Sequence, residues 1–133
     1  MDEKITLTDE EWRQRLTPEQ YAVLRKASTE RAFTGKYVHV DAKGVYRCAG
    51  CGAELFSSHT KFDSGTGWPS FYEAINPDAV EEHRDWSMLI PRTEIRCAKC
   101  GGHLGHVFPD GPAPTGQRYC MNSCALSLDK KKD

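Results

Sequence analysis

Six cysteines hold most of the reactive potential of this sequence, and their spacing divides them into two groups. Four lie in two copies of one short motif, Cys48-Ala49-Gly50-Cys51-Gly52 and Cys97-Ala98-Lys99-Cys100-Gly101. A Cys-x-x-Cys turn aims both sulfurs at one point, and the glycine that follows lets the backbone turn tightly behind them. Two such turns supply four thiolates, the ligand set of a closed tetrahedral structural site, for which zinc is the best-suited cytosolic metal. The pairing also resembles the rubredoxin arrangement, so partial iron loading is compatible with it. A Cys-x-x-Cys pair can instead be a redox dithiol. Repetition of the motif, with its trailing glycine, across strand-like sequence favours metal. With four sulfurs around it such a metal has no open coordination site, so chemistry must come from elsewhere.

The other two cysteines lie in Gly116-Gln117-Arg118-Tyr119-Cys120-Met121-Asn122-Ser123-Cys124. As an extended strand this segment places Arg118, Cys120, Asn122 and Cys124 on one face. A guanidinium beside Cys120 favours the thiolate, the reactive form; a small buried hydrophobe is the equal alternative for a free cysteine. His103-Leu104-Gly105-His106-Val107-Phe108 follows directly on the second cysteine pair and would be anchored by it. His103 and His106 have opposite parity, so a regular strand would not point both at one site, whereas a bulge at Gly105 would. Trp68, in Gly67-Trp68-Pro69-Ser70-Phe71, could wall a shallow pocket for a small apolar group, or simply fill the core.

The elements that must position these groups change character along the chain. Thr8-Asp9-Glu10-Glu11 and Thr17-Pro18-Glu19-Gln20 have the form of helix starts, the second with proline at the first helical position. From Gly35 onward the pattern is strands and turns. Tyr37–Val40 and Val45–Arg47 flank a four-residue loop as a hairpin. Further strands are expected over 79–86, 88–96, 103–108 and 118–128, with loops at Ser64–Pro69 and Asp110–Gly116. The reading is one mainly β domain over 1–133: a helical N-terminal cover at about 8–30 and a β-rich catalytic core at about 35–128.

The chain as a whole narrows the function classes. At 133 residues with a net charge of -1, it offers no basic face for nucleic acid; only Lys130-Lys131-Lys132 is a basic run. No apolar run is long enough to span a membrane, and no secretory signal follows Met1-Asp2-Glu3-Lys4, so the cytoplasm is the expected compartment. Six cysteines there are unlike a disulfide framework. A zinc-ribbon binding module and a rubredoxin-like electron carrier are the rival classes. The first would show a basic face or an aromatic stripe, and the second would be coloured.

Taken together the segments resemble the methionine-R-sulfoxide reductases of type B. The resemblance covers nearly the whole chain: Leu-Thr-Asp-Glu-Glu-Trp and Leu-Thr-Pro-Glu-Gln-Tyr, both cysteine pairs, Ser64–Phe71, His103–Phe108 with Asp110-Gly111, and Arg118–Ser123. It implies a small domain of two packed antiparallel sheets with short N-terminal helices and one structural zinc held by Cys48, Cys51, Cys97 and Cys100. It implies Cys120 as catalytic nucleophile, with His103, His106 and Asn122 around the sulfoxide oxygen and Arg118 and Asp110 in support. Trp68 and Phe108 become substrate-binding, Trp68 as the wall for the methyl group. The expected substrate is an oxidised protein or peptide, the expected state a monomer. Attack by Cys120 leaves a sulfenic acid that a second thiol must reduce. Many relatives carry that thiol just before Gly-Trp-Pro, where this chain has Thr66. Cys124 is a disfavoured substitute: on an extended strand it lies roughly 13 Å from Cys120, beyond the about 7 Å between Cα atoms that a disulfide tolerates. Thioredoxin, glutaredoxin or a low-molecular-weight thiol is therefore the expected reductant.

Overall fold

In the computed structural model, which describes residues 4–87 and 89–130, both N-terminal helix starts form. Thr8 and Thr17 cap helices α1 (Asp9–Arg15) and α2 (Pro18–Lys26), and Glu11 and Gln20 reach back to the cap N–H groups to complete two capping boxes. The two donors satisfied at each end are ones a short helix would otherwise leave to water. The expectations placed on Met1–Glu3, Met88 and Lys131–Lys132 lie outside the described residues.

Among the described residues nine strands follow: β1 (Gly44–Cys48), β2 (Glu54–Ser57), β3 (Lys61–Phe62), β4 (Ser70–Phe71), β5 (Val80–Asp85), β6 (Arg92–Cys97), β7 (His103–Phe108), β8 (Arg118–Met121) and β9 (Leu126–Lys130). They form two antiparallel sheets, ordered β2-β1-β9 and β3-β4-β8-β7-β6-β5. Aromatic side chains join them: Phe56 of β2 stacks on Phe71 of β4 with centroids 4.5 Å apart, and Tyr46 of β1 meets Phe71 edge-on at 5.1 Å. Each such pair contributes about 0.5–1.5 kcal/mol beyond its area burial. The helices pack on the cysteine turns. A Cβ on Gly50 would lie 3.2 Å from the Trp12 ring, and one on Gly102 2.9 Å from Leu24, while Arg25 donates to the Cys100 carbonyl at 3.0 Å.

Two expectations are overturned. Residues 37–39 form a turn rather than the first arm of a hairpin. Both edges of β1 are already occupied, by β2 and by β9, which leaves no place for an added strand. Tyr37 instead sets its ring against Tyr46 at 5.4 Å and accepts the Leu128 N–H at 3.0 Å. The strand expected over 118–128 is also broken. Asn122 leads a single 3-10 turn at Ser123–Ala125, which carries the chain out of the six-stranded sheet into β9 of the other. Cys124 thus lies on a turn and does not continue the face of Cys120, and the separation argued for an extended strand does not apply.

Candidate active site and metal centre

Cys48 ends β1 in one sheet and Cys97 ends β6 in the other, so the two cysteine turns meet where the sheets come together. Both turns close in the same way. Gly52 donates to the Cys48 carbonyl and Gly101 to the Cys97 carbonyl, each at 2.8 Å, with the glycines at φ of +81° and +76°. Side chains rarely adopt that left-handed conformation, which accounts for glycine at both positions. The four sulfurs lie within 4.8 Å of one another, with Cys48–Cys100 at 3.7 Å and Cys51–Cys97 at 3.6 Å. Four thiolates at Zn–S distances of about 2.3 Å in a tetrahedron stand about 3.8 Å apart, so the cluster has the size and donor set for zinc. Such a centre would staple β1 to β6.

The second group of residues gathers around β7 and β8. Their register pairs His106 with Cys120 and Phe108 with Arg118, so these four side chains share one face. On its other edge β8 pairs with β4, setting Ser70 opposite Cys120. Close approach of β7 to β8 requires Gly105, since a Cβ there would fall 2.0 Å from the Cys120 carbonyl oxygen. The shared face opens into a cavity of about 260 Å3 lined by Cys120, His106, Phe108, Arg118, Asn122, Trp68, Thr66, Thr29, Arg92 and Gly105. That is just under the usual volume of drug-sized pockets and suits a single side chain.

A loop from the N-terminal segment fixes two of these walls. The Trp68 indole donates to the Glu30 carbonyl at 3.0 Å, and the Glu30 N–H donates to Asn122 Oδ1 at 3.0 Å. Asn122 Nδ2 donates to the Leu104 carbonyl at 3.0 Å, so one amide hydrogen remains for a ligand. The register shifts between Ile95 and Arg96, where Leu104 is the extra residue of a bulge. This shift brings the two histidine rings together, with centroids 5.5 Å apart despite their opposite parity. His103 does not line the cavity; it is buried behind His106. Asp110 also stands outside, gripping Arg118 Nε at 2.8 Å and Nη2 at 3.2 Å while the guanidinium lies over the Phe108 ring at 4.5 Å.

Burial pushes the Cys120 thiol up, and Arg118 and Thr66 draw it only partly back. The resting sulfur therefore keeps its proton at neutral pH, and the guanidinium read from the sequence as a thiolate promoter is outweighed by desolvation. Burial likewise lowers His106, against the opposing pull of Asp85, so this imidazole is neutral at neutral pH. Cys124 opens on a different cavity, of about 450 Å3. Its N–H donates to Glu30 Oε1 at 2.9 Å, and burial followed by the Glu30 carboxylate pushes its thiol up to about 11.

A family model described as the SelR domain matches residues 16–130. A protein of Thiobacillus denitrificans named peptide methionine sulfoxide reductase MsrB is 62% identical over 124 residues, covering 93% of this chain and 94% of its own. Bearers of the same name in Leifsonia xyli subsp. xyli and Methanosarcina mazei are 60% and 57% identical, each across 98% of this chain and 94% and 93% of theirs. This chain belongs to the MsrB family.

Behind the cavity of this MsrB-family chain stand carboxylates that sequence reasoning passed over. Asp85 at the end of β5 accepts from His106 Nε2 at 2.8 Å and from Arg92 at 3.1 Å. Glu94 of β6 accepts from His103 Nδ1 at 2.7 Å and from Arg96 Nε at 2.9 Å. The available signal was the strand order, in which β6 pairs with the strand carrying both histidines and β5 pairs with β6, so that each imidazole finds a carboxylate within reach. Thr29, which lines the cavity, and Glu30, whose backbone holds Trp68 and Asn122, left no signal, because they lie on a loop with no periodic pattern.

Proposed function

We propose that this chain reduces methionine-R-sulfoxide, mainly within oxidised proteins and peptides, to methionine, with the whole chain working as one catalytic domain. The observation that supports this most directly is the cross-strand pair of Cys120 and His106 on the face of a side-chain-sized cavity walled by Trp68. The substrate methyl rests on the Trp68 and Phe108 rings, and the sulfoxide oxygen lies toward Asn122 and His106. Neutral His106 takes the Cys120 proton and delivers it to that oxygen, which is a poor leaving group without it. Arg118 steadies the thiolate that this exposes. The Cys120 sulfur then attacks the sulfoxide sulfur, and the oxygen passes to Cys120 with its proton. Methionine leaves with two electrons gained and Cys120 is left as a sulfenic acid. A fixed methyl wall, nucleophile and proton donor accept one epimer of a chiral sulfoxide.

One zinc ion held by Cys48, Cys51, Cys97 and Cys100 supplies cross-linking alone, since four thiolates fill its coordination. Cys120 is regenerated by an outside thiol: thioredoxin, glutaredoxin or a low-molecular-weight thiol. The first thiol forms a mixed disulfide and releases water, and a second frees Cys120. Cys124 is the second choice for this role, disfavoured because it faces another cavity with its backbone N–H held by Glu30. Among the described residues no helix is long and apolar enough to cross a membrane, and the near-neutral net charge favours no nucleic-acid partner; the proposal is of a monomer working in the cytoplasm. The test is dithiothreitol-driven reduction of separated R and S epimers of a blocked methionine sulfoxide by wild type and Cys120→Ser. Turnover of R alone, lost in the variant with fold and metal intact, is expected. Turnover of neither epimer by zinc-loaded protein would refute the proposal and favour a binding module.

A further inference from the structure

The two histidines of the site are held through opposite ring nitrogens. Ionised carboxylates only accept hydrogen bonds, so a nitrogen facing one carries the proton. Asp85 is held ionised, well below the usual carboxylate range, by the side chain and N–H of Ser87 and then by His106 and Arg92. Glu94 is opposed by burial, yet Arg96 and His103 more than offset it and keep its carboxyl below the ordinary value. His106 therefore donates from Nε2 to Asp85, and His103 donates from Nδ1 to Glu94. What remains is His106 Nδ1 on one ring and His103 Nε2 on the other. The latter is buried and has no hydrogen-bond partner among the described residues. A buried acceptor without a partner costs stability, and this one lies on a ring 5.5 Å from the histidine that lines the cavity.

We infer that Asp85 and Glu94 are positioning residues that lock His106 and His103 in opposite tautomers, leaving His106 Nδ1 as the nitrogen that takes up and returns the proton during reduction and the His103 ring fixed against it. The assignment deepens the proposed reaction and rests on it for its kinetic readouts. The carboxylates touch neither substrate nor sulfur; each acts through the imidazole it holds. Register makes the arrangement specific. Glu94 lies directly opposite His106 across the sheet, yet the bulge at Leu104 lets its carboxylate serve His103. His106 is thereby left to Asp85, one strand further out. The charged and titratable groups around His106 are then Asp85 from β5, Arg92 and the register partner Glu94 from β6, His103 from its own strand, and Cys120 and Arg118 from β8. If the carboxylates were only structural ion-pair partners of Arg92 and Arg96, removing them would unsettle the fold but not the ring tautomers.

The experiment is 15N NMR of histidine-labelled, metal-loaded protein, with kinetics of the same samples. Wild type should carry the His103 proton on Nδ1 and the neutral His106 proton on Nε2. Glu94→Ala should lose the His103 preference and lower kcat by about tenfold to a hundredfold with KM little changed. Glu94→Gln, which keeps an acceptor and is the variant less disturbing to folding, should retain the tautomer and recover part of kcat. Asp85→Asn removes the group that raises His106 and should move the acid limb of the kcat profile to lower pH. A wild-type spectrum with His103 protonated on Nε2, or variants with unchanged tautomers, kcat and pH profile, would overturn the inference. The spectra need no turnover, so an inactive wild type would sink the functional proposal while leaving the tautomer assignment to be judged separately.

Discussion

Replacing Gly105 by alanine adds one methyl group, and the structure sets what it must do. The new Cβ would fall 2.0 Å from the Cys120 carbonyl oxygen, whereas real Cβ contacts essentially never come under 3.0 Å. The obstacle is backbone, so no side-chain rotation relieves it, and β7 and β8 must part by at least 1.0 Å. That parting falls between His106 and Cys120, the neighbouring cross-strand pair. A displacement of about 1 Å at reacting groups can cost about a hundredfold in rate. Forcing an extra methyl into a packed site costs about 1–3 kcal/mol, which for a chain of this size lowers Tm by roughly 3–12 °C. Gly105→Ala should therefore lose about a hundredfold in kcat/KM for the R epimer while still folding cooperatively and holding its metal. Steady-state kinetics with dithiothreitol, calorimetry and metal analysis read the three quantities. Wild-type kcat/KM in a stable Gly105→Ala protein would refute the claim that the spacing of these two strands sets the reacting geometry.

Other perturbations follow from the same geometry. A strong thiol-competitive chelator should withdraw the metal, lower Tm by more than about 10 °C and abolish turnover in parallel, because metal affinity at four thiolates enters directly into folding free energy. Iodoacetamide should alkylate Cys120 slowly at pH 7 and faster as pH rises past the ordinary thiol range, and Arg118→Met should slow it further by removing a group that draws the thiol down. His106 is lowered in the fold relative to its free value, so below about pH 6.5 the unfolded chain binds the extra proton first. Its contribution to stability should fall as pH drops from there toward the folded value, and His106→Gln should flatten that slope in urea titrations. Stoichiometric oxidation by substrate should leave a dimedone-reactive Cys120 in mass spectra; an abundant Cys120–Cys124 disulfide would defeat direct reduction by an outside thiol.

Features written in neighbouring residues were readable from sequence. Thr8 with Glu11 and Thr17 with Gln20 specify helix starts within four residues, and both capping boxes form. The paired Cys-x-x-Cys-Gly turns specify their own geometry, so the four-sulfur cluster was legible before any fold was known. The strand over 103–108 was also legible, since it follows the second turn directly. Failures came where a distant segment decided the outcome. Nothing around Tyr37 signals that β9, more than eighty residues later, will take the edge of β1. Ser70-Phe71 is too short for any periodic pattern, yet it is the strand paired beside Cys120. The break after Met121 follows from the need to pass between sheets, which alternation along Arg118–Leu128 does not express. Asp85 and Glu94 read as ordinary charged strand residues until pairing sets them against imidazoles.

The two helices rest on the cysteine turns, and the loop that leaves them carries Glu30 to the far side of the cavity, where its backbone holds the indole of Trp68 and the amide of Asn122. The four-cysteine cluster and the Trp68 cavity are thereby serial parts of one structural unit, though they share no residue. Withdrawal of a metal from the four cysteines should loosen the turns, and with them the helices and the loop that holds Trp68. The Trp68 indole proton should therefore exchange with solvent at a rate governed by metal occupancy, making a tryptophan in the pocket a gauge of zinc.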